Sequence, residues 1–499
     1  MRSLGLFTFL VLPSLASAQD LALTFTQLLP GNPVDFTVTN LNANETVYIL
    51  RAVGTGGGAC PPQIGGECLG ITGPLSVVGA PTADATGTAS LQIVLPASAP
   101  LGANVSFQAA AVRGLAGADS VLSNAIGATI SGPSLCPVYA DPNVLPGGDG
   151  SVGNPFPSIG YALTFRDPTC DEILLYPGTY NENIDYAGAD VSITSLGGPA
   201  NTTLTSSLGG ILVTFSSGET EAASLSGVTL SCGSGGGTDR GVELLGSSAT
   251  LDDLVITGCD QGVYLSGGGG SITNSTFEAN TGGAIYMLQS SDPVITGNTF
   301  DGNSGPHSVI YTVLGTPYIV GNTIRNNTAP SSSEIVFLSQ ATTTFVNNHL
   351  EGNDAPSILN VAQDSYSTVA HNTWISNIGT AAEFSNSSST YFFNNLFYDN
   401  QSFAVISAPS GTGGPSFFLN NNIFPANPNG LGAVYSNFNV DPMFVPGTAE
   451  LDWGSPLIDA GIDPVSYGLD ISAIGLDADR DGGPRPLGLG YDIGAYESW

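Results

Sequence analysis

The chain has 499 residues, 41% of them hydrophobic and only 10% charged, which is enough apolar material for the cores of two or three domains. Its 41 acidic residues face eight arginines and no lysine, so the formal net charge is −33. A surface of that charge repels phosphate backbones and anionic headgroups, so we expect no nucleic-acid partner, and polyanionic sugars are disfavoured unless divalent cations intervene.

The first eighteen residues have the pattern of a secretory signal peptide. Arg2 precedes an apolar run that contains Pro13, and the segment ends on A-S-A at 16–18, a small-x-small cleavage pattern. A membrane anchor would need about 20 apolar residues, and this run is shorter. We therefore predict that 1–18 are removed, that the mature chain has no membrane span, and that the protein is secreted, either free in the medium or associated with the cell surface.

Residues 21–131 contain short alternating segments, among them VDFTVTNL, ETVYILRAV and ASLQIVLP, separated by Gly, Pro and Asn turns. This rhythm predicts a small antiparallel β-sandwich. The stretch from GGGACPPQIGGECLG to SNAIGATI is similar to Ig-like or fibronectin-like modules of secreted bacterial proteins, and that resemblance implies a spacer or adhesion role.

Six cysteines, an even number in an exported chain, indicate disulfides. Metal binding is the weaker interpretation, because the chain has no CxxC pair. The pairs we expect are Cys60 with Cys68, Cys136 with Cys170, and Cys232 with Cys259.

A second domain begins near residue 136, where the sequence reads YADPNVLPGGDGSVGNPFPSIGYAL. Ser158 is placed to cap a short helix, and a buried strand is predicted at Glu172 to Tyr176. This opening resembles that of right-handed parallel β-helices of the pectin-lyase-like class, in which a short helix plugs the end of the coil.

A repeat follows, marked by an asparagine at intervals of 23 to 26 residues, a period typical of stacked supersecondary units. Apolar residues stand three and eight positions before each reference asparagine. Because these two columns are five apart, one straight strand cannot turn both inward, so the chain bends between them. The reference residues are Asn280, Asn303, Asn327, Asn353, Asn377 and Asn400.

An asparagine also stands at the predicted bend, five positions before the reference, in most units. Asn tolerates left-handed backbone, and its amide can bond an identical amide one coil away, so we predict an asparagine ladder there. A third apolar segment (AIYML, VIYTV, IVFL, ILNV, AVIS) completes three strands per coil. The prediction is an all-β chain: a β-sandwich, a right-handed parallel β-helix of about ten coils over 136–435, and a capping tail over 436–499. An α-solenoid is disfavoured by the β-branched runs and dense Gly and Asn.

The last 65 or so residues carry SNFNVDPMF, LDWGSPLIDAG, DADRDGGPRP and YDIGAYE. Together these motifs resemble the tail of secreted bacterial β-helix proteins that have a choice-of-anchor Q domain. Relatives of that kind often continue into a sorting segment, whereas this chain stops at Trp499. The resemblance implies bacterial export, and we favour free secretion over anchoring.

Arg325 lies in one of the repeat columns and is a candidate for a catalytic residue. An arginine of a β-helix can abstract a sugar proton in β-elimination, and neighbouring acids can hold calcium. Asp301 and Glu351 occupy its column one coil below and one above. A structural charge ladder across parallel strands is the favoured interpretation. Pectate lyases with similar openings use a lysine base, and this chain has no lysine to supply it.

The tail motif Asp477-Ala-Asp479-Arg-Asp481-Gly482 matches the first half of a calcium loop, although Gly488 stands where the closing Glu is expected. Calcium is therefore a possible cofactor, and a simple turn in which Arg485 pairs with these acids is the alternative. The histidines at 307, 349 and 371 lack the spacing of a metal triad. His349, in a column of threonines, is predicted to be exposed, and His371 to lie at the bend with a surface role.

Two functions remain open from the sequence. The favoured one is a non-catalytic extracellular binding, structural or adhesion protein, whose partner is an extracellular polysaccharide or a cell-surface component contacted through outward aromatics such as Tyr391 and Tyr398. The other is a polysaccharide lyase or glycoside hydrolase, which the pectin-lyase-like resemblance implies.

Overall fold

The computed structural model describes residues 21–96, 99–100, 102–131, 135–233, 239–330, 333–384, 389–401, 406–407, 417–424 and 437–498. The chain divides into two compact units, Met1–Pro133 and Ser134–Trp499. The predicted signal peptide, 1–18, lies outside the described residues, so it stays a prediction. Among the described residues, no helix is long and apolar enough to cross a bilayer.

The first unit has two antiparallel sheets that share one core, as the alternating segments predict. In Pro33–Thr39 every second side chain is buried, and Phe36 meets Phe107 of the facing sheet edge to face, with ring centroids 5.0 Å apart. The three-stranded sheet contains Ala22–Phe25, Pro33–Thr39 and Ala89–Val94; the larger sheet contains Val47–Ala52, Ser76–Gly79, Asn104–Ala111, Val121–Leu122 and Ile126–Thr129. A small hairpin of Gly54–Thr55 and Ile71–Thr72 and the 3-10 turns Pro62–Ile64 and Leu115–Gly117 complete the unit.

The second unit is a parallel β-helix of three long sheets, which we call sheets A, B and C in the order in which each coil forms them. Sheet A contains Val138–Ala140, Glu172–Leu175, Ser192–Ser195, Ser224–Ser226, Thr250–Asp252, Ser271–Thr273, Val294–Thr296, Tyr318–Val320, Thr342–Val346, Tyr366–Ala370, Ser389–Phe393 and Phe417–Leu419. Sheet B contains Gly178–Asn181, Thr202–Thr205, Thr229–Ser231, Val255–Thr257, Thr276–Glu278, Thr299–Asp301, Thr323–Arg325, His349–Glu351, Thr373–Ile375, Leu396–Tyr398 and Asn422–Phe424. Sheet C contains Ile184–Asp185, Ile211–Phe215, Arg240–Leu245, Gln261–Gly268, Ile285–Ser291, Ile310–Val313, Val336–Ser339, Asp354–Ala362, Ile378–Phe384 and Ile406–Ser407. The ten described strands of sheet C are separated by nine full turns, close to the ten coils predicted.

Both predicted apolar columns fill the interior of the coils. Ile295 pairs in register with Ile272 and Ile319 in sheet A, and Phe300 pairs with Phe277 and Ile324 in sheet B, all with side chains almost wholly buried. The rings of Phe277 and Phe300 stack at 4.9 Å. Because the columns belong to different sheets, the bend between them is confirmed.

The bend ladder is present, but the left-handed residue is not the ladder asparagine. Each ladder amide donates to the amide oxygen of the next coil: Asn322 Nδ2 lies 3.0 Å from Asn348 Oδ1, and Asn348 Nδ2 lies 3.1 Å from Asn372 Oδ1. The positive φ belongs to the preceding residue, for example Gly321 at 69° and Asn347 at 56°. The ladder residue follows this turn with its side chain pointing inward.

A second asparagine ladder, which we did not predict, runs through the reference positions. Asn303 Nδ2 donates to Asn327 Oδ1 at 3.0 Å and to the carbonyl of Phe277 at 2.9 Å, and all three groups are buried. Asn327 repeats the pattern toward Asn353 at 2.9 Å. The reference asparagine therefore closes the corner between sheets B and C.

The amino end of the coil is covered as predicted. Ser158 accepts a hydrogen bond from the amide of Tyr161 and caps the helix Ile159–Phe165, which buries Ile159 and Ala162. The Glu182 carboxylate also accepts from the helix amides of Ile159 and Gly160, at 2.8 and 2.9 Å. Three disulfides join the expected partners: Cys60 and Cys68, Cys136 and Cys170, Cys232 and Cys259.

The tail continues the stack and then lies along its side. Asn437 first extends the bend ladder, accepting from Asn421 Nδ2 at 3.0 Å. Later tail residues, which include the 3-10 turn Pro464–Tyr467, follow, and Leu476 joins a core with Val346, Ala370 and Phe393 of sheet A. The tail thus covers the flank of the later coils.

A buried ion pair holds the tail in place. Arg485, wholly buried, has its Nε 2.8 Å from Glu497 Oε1, and its Nη1 donates to the side chain of Asn347 at 2.8 Å. Burial raises the pKa of Glu497 to about 7. The expected pairing of Arg485 with the acids of the 477–481 motif is wrong, because its direct partner is Glu497.

We predict that Asn348→Ala lowers the free energy of unfolding by about 3 kcal/mol, because the backbone and side-chain donors of Asn322 and the carbonyl of Ile319 lose buried partners. Urea denaturation followed by circular dichroism measures the change. The matched control is Asn201→Ala, which removes one exposed hydrogen bond to the Gly197 carbonyl and should cost less than about 1 kcal/mol. Equal losses would contradict a structural ladder.

Candidate functional site

One outward column of sheet C has four successive aromatic residues at its centre. We call it the sheet C strip. Apart from Glu243, which is buried, its side chains are partly exposed. Its residues follow one another in strict register: Glu243, Tyr264, Tyr286, Tyr311, Phe337, Asn360 and Glu383.

The four rings of the sheet C strip stack along the coil axis. Centroid distances are 5.9 Å from Tyr264 to Tyr286, 4.4 Å from Tyr286 to Tyr311, and 5.2 Å from Tyr311 to Phe337, with interplanar angles of 22° or less. The free face of Tyr264 is covered by the Arg240 guanidinium, 3.8 Å from the ring centroid. The strip therefore offers ring edges and phenol hydroxyls to a ligand. Burial, followed by the neighbouring Tyr311, raises the pKa of Tyr286 to about 12, so its hydroxyl stays protonated.

A polar groove of about 300 Å³ lies beside one end of the strip. Arg240 joins it to the strip, contacting the Glu243 carboxylate and donating from Nε to Gln261 Oε1 at 2.9 Å. His307 stands edge-on to the Tyr286 ring at 6.0 Å. Planar groups that donate and accept hydrogen bonds suit a hydroxyl-rich ligand. The lining residues are Arg240, Asp260, Gln261, Thr281, Gly282, Pro306 and His307.

Two carboxyl groups flank the other end of the strip. Asn360 Nδ2 donates to Glu334 Oε1 at 3.1 Å, and Glu383 follows Asn360 in the column. Burial, together with the charge of Glu334, raises the pKa of Glu383. A carboxyl group with a raised pKa beside a second carboxyl group is an arrangement that general acid–base chemistry can use.

The predicted group of Arg325, Asp301 and Glu351 lies on sheet B, not beside the sheet C strip. Arg325 Nη2 is 2.8 Å from Asp301 Oδ2, and both side chains are partly exposed. Glu351 pairs with Arg325 in register, but its carboxylate lies 3.6 Å from His349 Nε2 instead. An exposed ion pair of this kind contributes at most about 1 kcal/mol. The geometry matches the expected charge ladder between Asp301 and Arg325.

The expected calcium ligands do not converge. Asp479 Oδ1 accepts from the amides of Asp481 and Gly483, and its Oδ2 accepts from the amide of Glu497. Asp481 turns toward Arg480, at 3.2 Å. Across the part of the chain that the structure describes, no group of three or more His, Cys, Asp or Glu could hold a metal ion. In the structure Asp477, Asp479 and Asp481 form a tail turn closed by backbone amides, and calcium binding by these residues stays a prediction.

Two histidines predicted at the surface are buried beneath the tail. His349 is 9% exposed, and its Nδ1 lies 2.7 Å from the hydroxyl of Tyr496. His371 occupies the bend as predicted, with φ of 52°, but it is wholly buried against Asn394 at 2.9 Å. Burial lowers the pKa of both imidazoles, that of His349 to about 4. The surface prediction failed because the repeat pattern contains no information about the tail that covers it.

The sheet C strip was also missed from the sequence, although a signal for it was present. The segments AIYML, VIYTV and IVFL have an aromatic residue third, and ILNV has Asn360 there. The loops between the reference asparagine and these segments vary in length, so counting from the asparagine hides the column. Aligning the segments on one another reveals it.

Comparisons with known proteins support the fold. The family model described as "Right handed beta helix region" matches residues 209–374, so the chain contains a right-handed β-helix domain. A solved structure that it resembles is the catalytic unit of the thermostable GH87 alpha-1,3-glucanase from Streptomyces thermodiastaticus strain HF3-3, at 12% identity and a TM-score of 0.28, over 85% of this chain and 89% of that one. At that TM-score the similarity supports no conclusion about function. No curated protein matches the chain.

We predict that the free energy of unfolding of the wild type falls by about 3 kcal/mol relative to that of His349→Thr as the pH falls from 6.5 to about 4. In the folded protein the pKa of His349 is lowered from 6.5 to about 4, so over this range the imidazole binds a proton more readily in the unfolded state. The contribution of the neutral imidazole to stability is fully present above pH 6.5 and is lost as the pH falls toward 4. Urea denaturation at several pH values measures the difference, and His307→Thr controls for the number of histidines. Parallel stability curves for wild type and His349→Thr would contradict a buried neutral imidazole.

Proposed function

We propose that the protein binds an extracellular polysaccharide along the sheet C strip. The observation that carries the proposal is the unbroken aromatic column, with a polar groove at one end and carboxyl groups at the other. Neighbouring strands are roughly 4.8 Å apart, so a linear polymer lying along the coil axis would meet an equivalent side chain at each coil.

The chemistry of the strip fits a neutral sugar chain. Ring edges and apolar stems pack against sugar C–H groups, while phenol hydroxyls, Gln261 and Asp260 can exchange hydrogen bonds with sugar hydroxyls. The net charge of −33 repels polyanionic chains. Three disulfides are compatible with an extracellular setting.

Tyr391 and Tyr398, which the sequence suggested as polysaccharide contacts, lie outside the sheet C strip. Tyr391 is 43% exposed on sheet A, away from the strip column. The Tyr398 ring packs edge to face against Phe444 of the tail, with centroids 5.2 Å apart. Both residues lie outside the sheet C strip, so Tyr391 provides a useful control.

Tyr286→Ala and Tyr311→Ala are each expected to weaken polysaccharide binding about tenfold, because an aromatic anchor of a binding surface is worth more than 1 kcal/mol. Affinity electrophoresis against a panel of neutral glucans, xylans and mannans would identify the ligand, and calorimetry would give the affinity. Tyr391→Ala should bind as the wild type does. Equal losses in all three variants, or no binding to any polymer, would overturn the proposal.

Glu334 and Glu383 favour a second candidate, hydrolysis of the bound polymer. In this candidate mechanism Glu383, whose pKa is raised, donates a proton to the leaving oxygen and Glu334 acts as nucleophile or base, as paired carboxyl groups do in glycoside hydrolysis. The raised pKa of Glu383 is what distinguishes this pair from the exposed acids of the surface.

Incubating each bound polymer with the wild type and following reducing ends decides between the two candidates. If the pair is catalytic, Glu383→Gln should reduce turnover by at least about a hundredfold while binding is retained, and Glu278→Gln, an exposed acid on sheet B, should be fully active. Turnover would overturn the non-catalytic interpretation. A polymer that binds but is never cleaved would overturn the hydrolase.

A further inference from the structure

A second groove, of about 600 Å³, lies on a different side of the solenoid, between sheet B and the tail. We call it the tail groove. The coils contribute His349, Glu351 and Tyr398, and the tail contributes the loop Phe444–Glu450 with Arg480 and Tyr496. None of these residues belongs to the sheet C strip, so the tail groove is a separate surface with its own chemistry.

His349 supplies a polar atom that the fold leaves unpaired. Four other outward positions of this sheet B column, Thr276, Thr299, Thr323 and Thr373, hold threonine, so the imidazole is an exception to the repeat. Its Nδ1 is occupied by the Tyr496 hydroxyl, while its buried Nε2 has no hydrogen-bond partner.

The tautomer of His349 follows from its neighbours. The nearby Glu351 carboxylate, 3.6 Å from Nε2, favours the proton on that nitrogen, and Tyr496 then donates to Nδ1. The Nε2–H therefore faces Glu351 from beyond hydrogen-bond distance and has no hydrogen-bond acceptor in the structure.

The charges of the tail groove favour a cation. Glu351, Glu450 and Asp481 line it, and its one basic residue, Arg480, is already paired with Asp481 at 3.2 Å. Within the described residues, neither Glu351 nor Glu450 has an arginine within ion-pair distance. A metal ion does not fit, since the described acids and histidines nowhere converge in a group of three. An organic ammonium group satisfies both carboxylates without requiring that convergence.

The rest of the lining points to a sugar that carries this ammonium group. Tyr398 and Phe444 meet edge to face at 5.2 Å and provide an apolar wall for C–H groups. The Nε2–H of His349 requires a hydroxyl or ring oxygen from the ligand, because the structure gives it no hydrogen-bond partner. We propose that the tail groove binds a cationic amino sugar, with the amino group between Glu351 and Glu450 and a hydroxyl on His349 Nε2.

Calorimetry of the full chain tests the proposal with a trimer of β-1,4-linked glucosamine and, as the uncharged match, the trimer of N-acetylglucosamine. We expect binding of the free-amine trimer and at least about tenfold weaker binding of the acetylated one. Glu351→Gln and Glu450→Gln should each lower the affinity for the free-amine trimer about five- to tenfold. His349→Thr should lower it by a similar factor without changing the carboxylates of the groove.

Two controls separate this site from nonspecific attraction and from the sheet C strip. Glu278→Gln removes an acid from the same outward column as Glu351, three coils away, and should have no effect. Tyr286→Ala should also leave trimer binding unchanged. A failure of polysaccharide binding at the sheet C strip can then be distinguished from a failure of trimer binding at the tail groove.

Three outcomes would overturn the proposal. Equal affinity for the acetylated trimer would remove the role of the ammonium group. An equal loss in Glu278→Gln would reduce the binding to general surface attraction, and equally tight binding of trilysine would exclude a sugar-specific groove.

Discussion

The buried amide ladders are the constraint on which the rest of the solenoid depends. Each ladder asparagine bonds both the next amide and a backbone carbonyl of another coil, as Asn298 does with Asn322 Oδ1 and the Ile272 carbonyl. An unpaired buried amide costs about 1–3 kcal/mol, so one coil cannot slip relative to the next. The fixed register at two corners is what aligns every outward column, including the sheet C strip.

At three of the coils that the tail packs against, the residue before the ladder asparagine bonds the tail. Asn347, Asn394 and Asn420 adopt positive φ and turn their amides outward to bond tail carbonyls at 2.9–3.0 Å. In the earlier coils the same position is Gly297 or Gly321, which turns the chain without offering a side chain. A double asparagine therefore does two tasks: the first residue attaches the tail and the second forms the ladder.

How much of this could be predicted depends on whether a feature repeats. The core columns through Ile295 and Phe300, the bend and the ladder at Asn298 repeat at nearly fixed spacing, so the sequence predicts them residue by residue. The sheet C strip repeats too, but variable loops precede it, and only its own segments can be aligned. His349 and Arg485 owe their environments to contacts more than 100 residues away in the chain, between His349 and Tyr496 and between Arg485 and Asn347, which no local pattern contains.

The same contrast separates the two candidate binding surfaces. A ladder-locked solenoid repeats its outer face at every coil, so unaided it can build an extended strip such as Tyr264 to Phe337, suited to a polymer. A local binding groove needs side chains that do not repeat. The tail supplies them: Phe444 and Tyr496 line the groove beside His349, and the two neighbours of His349 in its column, Thr323 and Thr373, are threonines. The coils and the tail together therefore generate a site that neither could form alone.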